Sequence, residues 1–140
     1  TKAAAEYHKS LKPRPASWNG AVGDQQLKWI ESKLQAATKA GERVMLFCHF
    51  PIYPKNGHNL WNDKVLTGLL ARYPCVAAYL NGHNHSGNYG QRDGIHYLTL
   101  KGMVDTEESS YSVIEVYPDR LKVNGYGREM DRELPLPKRP

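Results

Sequence analysis

The sequence has few cysteines, no long apolar run and no internal repeat. Its two cysteines among 140 residues give little information about the redox environment. No apolar stretch approaches the roughly 20 residues of a membrane-spanning helix, and residues 1–5 lack the apolar core of a signal peptide. We therefore expect a soluble protein with no membrane partner. Its compartment stays open, with a slight preference for the cytoplasm.

Acidic residues are fewer than basic ones: the sequence has 14 Asp and Glu and 19 Lys and Arg, and its formal net charge is +5. Such an excess suggests nucleic-acid binding, but the basic residues are spread thinly along the chain. The densest spots, Lys9–Arg14 and Lys138-Arg139, lie in proline-containing segments, and no basic stripe alternates with aromatic residues. A basic nucleic-acid-binding domain is therefore the least favoured function, and we expect no nucleic-acid partner.

Hydrophobic periodicity predicts a strand–helix–strand unit preceded by a helix. The first helix follows Asp24, its candidate N-cap, and ends at Gly41. The next apolar run, Val44–Cys48, is typical of a strand buried on both faces. The apolar positions of the helix before it are Leu27, Ile30, Leu34 and Ala37.

A second helix is predicted over about Trp61–Tyr73, with Val65, Leu66, Leu69 and Leu70 on its apolar side. It leads into a short strand, Cys75–Leu80. Because short connections join strand, helix and strand, the two strands are predicted to be parallel. Cys48 and Cys75 then lie at opposite ends of the sheet, too far apart for a disulfide, and we expect free thiols.

After Gly90 the pattern changes to alternation, which predicts an antiparallel meander of three strands around a Pro118-Asp119 turn. The fold class is therefore α/β. We expect an extended lead-in over residues 1–18, a domain over residues 19–132 and a loose proline-rich tail over residues 133–140. The three meander strands are Ile95–Leu100, Tyr111–Tyr117 and Leu121–Tyr126.

Three of the six histidines directly follow the predicted parallel strands. His49 follows the first strand, and His83 and His85 follow the second in a His-x-His pattern. The carboxyl ends of parallel strands share one rim, where open α/β sheets bind ligands. A lone histidine at a strand end is usually a surface residue, but three on one rim predict a site for divalent ions that accept imidazole, such as zinc, iron or manganese.

The other histidines carry weaker signals. His8 is predicted to be solvated, and His96 to be a packed or surface residue within a strand. His58 either lines the cleft or is a simple surface residue. Trp29 and Trp61 are predicted to pack in the core or at its margin.

Carboxylate ligands are missing from this pattern. Neutral imidazoles do not offset the charge of two dications, so a two-metal site needs a bridging carboxylate. The sequence has no Asp-x-His and no Gly-Asn-His motif, and its Gly23-Asp24 opens a predicted helix. The sequence therefore predicts half of a metal site.

Both histidine segments resemble known motifs. Cys48–Pro51 is similar to the single-histidine motif of calcineurin-like metallophosphoesterases, and Gly82–His85 resembles their Gly-His-x-His motif. The resemblance extends over about residues 18–135, in particular to the manganese-dependent ADP-ribose/CDP-alcohol diphosphatase group. It also includes Asn19–Trp29, Gly82–Tyr89, Asp93–Gly102 and Val123–Arg128.

The resemblance implies the C-terminal half of a four-layer α/β/β/α sandwich, built from a βαβ unit and an antiparallel meander. It implies hydrolysis of a phosphoanhydride or phosphoester bond, in a nucleoside diphosphate conjugate such as ADP-ribose or a CDP-alcohol, with two divalent ions (Mn, Fe or Zn). His49 and His83 would bind one ion and His85 the other. The family's aspartates, asparagine ligand and general-acid histidine have no counterpart here. We therefore expect no catalytic residue in this chain, which alone would be inactive.

Five loop residues near the histidines are predicted to line the cleft for a nucleotide-type substrate, although each residue of this kind is more often an ordinary loop residue. The expected partner is a missing N-terminal half of the same domain, without which the chain would dimerise or aggregate. The alternative is a non-catalytic fragment or binding module of the same fold. The predicted substrate residues are Tyr53, Asn56, Asn59, Trp61 and Tyr89.

Overall fold

A computed structural model describes residues 2–13 and 15–137, so the predicted basic spots at Arg14 and Lys138-Arg139 lie outside the described residues. The described residues form three helices and seven strands. These are α1 (Lys2–Ser10), α2 (Asp24–Ala40), β1 (Val44–Phe47), α3 (Asp63–Leu70), β2 (Val76–Asn81), β3 (Asn88–Arg92), β4 (Ile95–Thr99), β5 (Ser110–Val116), β6 (Arg120–Gly127) and β7 (Arg132–Pro135).

The strands form two sheets. The first has the order β1-β2-β4-β3, in which β1, β2 and β4 are parallel and β3 is antiparallel to β4. The second is an antiparallel sheet of β5, β6 and β7. The predicted α/β class and the parallel pairing of the first two strands are therefore confirmed, as is the turn at Pro118-Asp119, where Tyr117 N–H donates to the Arg120 carbonyl.

The strand β2 lies at the centre of the core, and all six of its residues are buried. Val76 and Tyr79 belong to a cluster with apolar residues of α2 and α3. Ala77, Ala78 and Leu80 belong to a second cluster with residues of β6 and β7. The first sheet is therefore covered by helices on one face and by the second sheet on the other.

The expectation that the first strand is buried on both faces is wrong. β1 pairs only with β2 among the described residues, and it lies at the edge of its sheet. Its last residue, Phe47, is 73% exposed. An edge strand has one side without a neighbour, so a continuous apolar run there leaves apolar surface in contact with solvent.

The predicted extended lead-in is also wrong, because residues 2–10 form the helix α1. Residues 3–5 are all alanine, the residue type with the highest helix propensity. No residue of α1 is buried, so the helix carries no apolar periodicity by which to predict it. The rings of Tyr7 and His8 contact Trp61 at centroid distances of 6.5 and 4.6 Å.

The predicted three-stranded meander is wrong in its first strand. β4 belongs to the first sheet, where it pairs with β2 in parallel, and the sequence pattern missed β3 altogether. All five residues of β4 are buried, as a strand covered on both faces requires. β3 and β4 are joined by a turn at Asp93-Gly94, where both residues have positive φ angles of 53° and 77°. That dipeptide is a strong hairpin signal.

The bounds of the other elements differ in smaller ways. α2 ends as predicted at Gly41, whose φ of 67° is the left-handed conformation that glycine adopts at no steric cost. Its N-cap is Gly23, so Asp24 is the first helical residue instead. α3 is shorter than predicted, and its Val65 is 54% exposed rather than packed.

The tail also differs from its prediction, because β7 orders residues 132–135 and buries Leu134. Pairing with β6 provides the physical reason. The domain boundaries at 18 and 132 stay predictions. Both cysteines are free, as predicted, and Cys75 is buried. Among the described residues, no helix has the length and apolar character to cross a membrane.

The helix–sheet contact makes a testable prediction at Leu70, which is fully buried in α3. Leu70→Ala should lower the free energy of unfolding by about 2–5 kcal/mol, because it removes buried methyl groups and leaves a cavity. Denaturant unfolding followed by circular dichroism measures this change. Val65→Ala, on the exposed side of the same helix, should change it by about 0.5 kcal/mol or less. Equal losses in the two variants would contradict this packing.

Candidate functional site

The loops that follow β1 and β2 are joined to each other beyond the ends of the strands. Cys48 N–H donates to the Leu80 carbonyl, and Gly82 N–H donates to the His49 carbonyl, both at 3.1 Å. These bonds continue the parallel ladder and bring the residues after the two strands side by side. His49 Nε2 consequently lies 3.1 Å from His83 Nδ1.

A tight turn after β2 directs His83 and His85 to different neighbours. Asn84 N–H donates to the Gly82 carbonyl at 2.8 Å, and His83 has a positive φ of 64°. A non-glycine residue in this conformation costs of order 1–3 kcal/mol, and such residues cluster at functional sites. His83 faces His49, whereas His85 faces Asp105.

His83 contacts groups from three loops. Its ring lies 4.5 Å from the ring of Phe50 and 5.5 Å from that of His58. Its Nε2 lies 3.0 Å from Oδ1 of Asn19, which is 4% exposed. The Asn19 amide in turn donates to the Gly57 carbonyl at 2.8 Å. The sequence did not indicate this role for Asn19, because no local pattern relates residue 19 to residue 83.

His85 has a carboxylate neighbour that no local sequence pattern indicates. Its Nδ1 lies 2.8 Å from Oδ1 of Asp105, and both side chains are nearly half exposed. Gly102 permits this arrangement, because a Cβ atom there would lie 2.5 Å from Cγ of His85. The backbone N–H of Gly102 also donates to the His85 carbonyl. Asp105 is therefore the partner of the second ring of the His-x-His segment, in a pair that solvent reaches.

The three imidazoles share one open cavity of about 540 Å³. Asn81, at the end of β2, also lines this cavity, and its buried Oδ1 has no hydrogen-bond partner among the described residues. The nearby His58 has a buried Nδ1 that is likewise without a partner within those residues. The cavity therefore combines imidazole nitrogens with polar atoms that can accept another group.

The surroundings of His83 lower the pKa of its imidazole below the ordinary value of 6.5. Burial is the largest cause, because it disfavours the charged form, and the neighbouring His49, His58 and His85 add smaller effects in the same direction. The neutral form is the one with a free lone pair. His83 is therefore held in the state in which an imidazole binds a metal ion.

Comparison with known proteins relates the chain to one enzyme group. It is 35% identical over 123 residues to the manganese-dependent ADP-ribose/CDP-alcohol diphosphatase of Xenopus laevis, which is 84% of this chain and 35% of the relative. The protein of that name from Arabidopsis thaliana is 32% identical over 121 residues, which cover 82% of the chain and 39% of the relative. No family model matches the sequence.

Comparison of the fold with solved structures also relates the chain to metal-dependent phosphatases. The crystal structure of a dimetal phosphatase from Danio rerio superposes with a TM-score of 0.83 at 26% identity, over 87% of this chain and 41% of that one. The chain is related to the metallophosphoesterases. It has the fold of part of such a domain, as predicted, and it spans 35–39% of the length of the two curated relatives.

The relatives imply metal ions, and the donor chemistry at the two strand ends fits them in part. Two imidazole nitrogens face each other, and imidazole suits manganese, iron and zinc. Within the described ranges, however, no group of three or more His, Cys, Asp or Glu residues is placed to hold an ion. The residues present therefore supply part of a coordination shell, and the ligand roles of His49, His83 and His85 stay predictions.

The predicted substrate residues lie outside the cavity at the histidines. Asn56, Asn59 and Trp61 line a neighbouring cavity of about 590 Å³ that Asn19 also borders. Tyr53 packs on Tyr97 at a ring distance of 5.1 Å. The hydroxyl of Tyr89 lies 2.9 Å from His96 Nδ1. The substrate roles of all five stay predictions.

The predictions for the other histidines and for Trp29 are confirmed in some cases and wrong in others. His96 is fully buried and packed, as predicted, and its Nε2 donates to the Pro135 carbonyl. His58 packs beside His83 at a ring distance of 5.5 Å, so it is more than a simple surface residue, although it does not line the cavity at the histidines. His8 is not freely solvated, because its Nε2 donates to the Pro15 carbonyl and its ring contacts Trp61. Trp29 is 54% exposed rather than packed in the core, because it lies on the outer side of α2.

The lowered pKa of His83 makes a prediction for the metal-free protein. Its imidazole should titrate below pH 6.5 in NMR spectra, and His49→Gln should raise the midpoint only in part, because burial remains. The unfolded chain binds the proton first, so this residue makes the fold lose stability as pH falls below about 6.5. A midpoint above 6.5, or a full return to 6.5 in the variant, would contradict the assigned cause.

Proposed function

We propose that the protein containing this chain hydrolyses a phosphoanhydride or phosphoester bond with the help of bound divalent ions. The substrate is a nucleoside diphosphate conjugate of the ADP-ribose or CDP-alcohol type. One observation carries the proposal. His49 and His83 face each other at 3.1 Å on the joined ends of two parallel strands, in a chain related to diphosphatases of that specificity.

Three side chains would hold two ions in this proposal. His49 and His83 are the ligands of one divalent ion, and His85 is a ligand of the other, with manganese, iron and zinc all compatible with imidazole. When bound, such ions polarise phosphoryl oxygens and provide an activated water at neutral pH. The chain's own contribution is to keep the imidazole of His83 neutral through burial and to orient the ring of His85 through its contact with Asp105.

The remaining ligands would come from residues outside this sequence. The described residues place no bridging carboxylate beside the imidazoles, and Asp105 contacts His85 alone among them. The chain spans only 35–39% of two diphosphatases that it matches. We therefore assign the bridging carboxylate and the general-acid histidine to an N-terminal part of the same protein, and we expect this chain alone to be inactive.

The substrate would occupy the space next to the ions. Asn56, Asn59 and Trp61 border the second cavity, which adjoins His83 through Asn19. We propose this cavity for the nucleoside part of the substrate, since it combines an indole surface with amide groups. Tyr53 lies in the loop packed against β3, on the helix-covered face of the first sheet, whereas Tyr89 lies on β3 and faces the second sheet. We propose that Tyr53 contacts the other end of the conjugate, and the substrate role of Tyr89 stays a prediction.

The proposed hydrolysis predicts activity that depends on the histidines. In the full-length protein with Mn²⁺, His83→Ala should lower the rate of ADP-ribose and CDP-choline hydrolysis by about 100-fold or more, because ion binding supplies several kcal/mol to the transition state. Released phosphate esters are measured by chromatography. The 140-residue chain alone should show no hydrolysis of either substrate.

His96→Gln is the matched control, because it changes a buried histidine that contacts none of the proposed ligands in the described residues. It should cost about 1–3 kcal/mol of stability through its lost hydrogen bonds and retain the activity of the folded protein. Absence of hydrolysis in the full-length protein would reject these substrates and favour a non-catalytic binding module. An unchanged rate in His83→Ala would reject the metal role of His83.

The exposed edge of β1 supports the proposed second part of the domain. Phe47 and Trp29 are 73% and 54% exposed, and both border an apolar groove of about 450 Å³ alongside β1. An uncovered apolar sheet edge favours association with another strand. We propose that the rest of the protein covers this edge.

The isolated chain should therefore self-associate, forming dimers or larger species in size-exclusion chromatography with light scattering. Phe47→Lys should shift the population toward monomer, because a charge at a sheet edge opposes strand pairing. Lys122→Glu in the second sheet is a control for a change of surface charge. A monodisperse monomer at high concentration would contradict the proposal.

A further inference from the structure

A buried asparagine connects His83 to the loop at residues 56–62. Asn19 is 4% exposed and lies just ahead of α2. Its segment is tied to that loop by Trp61 N–H, which donates to the Gly20 carbonyl at 2.8 Å. The side chain of Asn62 adds two hydrogen bonds to the backbone of Val22. The position of the Asn19 amide is therefore set by several contacts that do not involve the histidines.

The orientation of this amide follows from its two partners. The Gly57 carbonyl can only accept a hydrogen bond, so the Nδ2 group of Asn19 must face it, and does so at 2.8 Å. Its Oδ1 is then directed toward His83 Nε2, at 3.0 Å. An amide oxygen can only accept, so the proton of the hydrogen bond belongs to His83 Nε2.

This hydrogen bond decides which nitrogen of His83 has the free lone pair. A neutral imidazole has one N–H, so a proton on Nε2 leaves Nδ1 unprotonated. Nδ1 is the atom that faces His49 Nε2 across 3.1 Å. The opposite tautomer would turn the lone pair toward Asn19 and place an N–H where a metal ion has to bind.

We propose that Asn19 is a positioning residue that fixes the Nε2–H tautomer of His83 and so makes Nδ1 its metal-binding atom. This inference rests on the metal role proposed for His83. The hydrogen bond also holds the ring orientation before an ion binds. Groups that bond the far nitrogen of a metal-binding histidine typically contribute 10–100-fold to metal affinity.

The test is the tautomer itself, read from imidazole ¹⁵N shifts in the metal-free full-length protein with ¹⁵N-labelled histidine. The wild-type His83 should show a protonated Nε2 and an unprotonated Nδ1. Asn19→Leu, which removes the acceptor, should give a mixture of the two tautomers. Asn19→Asp keeps an oxygen toward Nε2, although it loses the bond to the Gly57 carbonyl, and it should restore the single tautomer. A wild-type His83 protonated on Nδ1 would overturn the proposal.

The second readout is the affinity for Mn²⁺ alone, measured by electron paramagnetic resonance of the free ion. Asn19→Leu should weaken the tighter binding step about 10–100-fold, and Asn19→Asp should recover most of it. Asn62→Leu is the matched control, because it removes a buried amide of the neighbouring loop that bonds the Asn19 segment without touching a histidine. It should leave both the tautomer and the affinity unchanged, because the bonds from Trp61 N–H to the Gly20 carbonyl and from Asn19 to the Gly57 carbonyl still hold the amide in place.

Equal losses in Asn19→Leu and Asn62→Leu would mean that Asn19 only stabilises the segment, which also overturns the proposal. The outcome is independent of the substrate. If the full-length protein hydrolyses neither conjugate and yet shows the tautomer and affinity changes, the role of Asn19 stands and the proposed substrate fails. If hydrolysis is present and the tautomer does not respond to residue 19, the reverse holds.

Discussion

The site depends on the parallel pairing of β1 and β2, which continues past the ends of both strands. The bonds from Cys48 N–H to Leu80 and from Gly82 N–H to His49 link two loops that are 34 residues apart in the chain. Without them, the imidazoles of His49 and His83 would lie on loops whose backbones are not bonded to each other. The shared carboxyl rim of the two strands therefore determines that these two imidazoles lie together.

The same sheet explains why one rim carries polar groups while its strands are apolar. β2 is buried along its whole length, between helices on one face and the second sheet on the other. Polar side chains are therefore excluded until the strand ends at Asn81, whose amide nitrogen bonds the Leu98 carbonyl. β1 lies at the edge and has cover on fewer sides, so its apolar Phe47 reaches solvent. The histidines that follow the two strands nevertheless lie at the same rim, because their position depends on the parallel direction of the strands and not on how deeply each strand is buried.

Much of this arrangement could be predicted from the sequence, because strand direction and strand ends are local properties. His49, His83 and His85 were identified as neighbours from two apolar runs and a connecting helix. Other features depend on long-range pairing that a single sequence does not encode locally. Asn19 and His83 are 64 residues apart, and the membership of β4 in the first sheet depends on its partner β2. The helix α1 was missed for the opposite reason, since a helix that buries no residue has no apolar period.

The two ends of the His-x-His segment differ in how firmly they are held. His83 bonds a buried amide that is itself fixed by the Gly57 carbonyl, so moving its ring would leave buried polar atoms without partners, at a cost of about 1–3 kcal/mol each. His85 bonds Asp105 in a pair whose two side chains are nearly half exposed, and water can replace either partner at little cost. The segment therefore has one rigid and one adaptable imidazole. Both properties suit a metal site whose other ligands come from another part of the protein. The rigid ring of His83 sets the position of one ion, and the ring of His85 can adjust to the position of the other ligands.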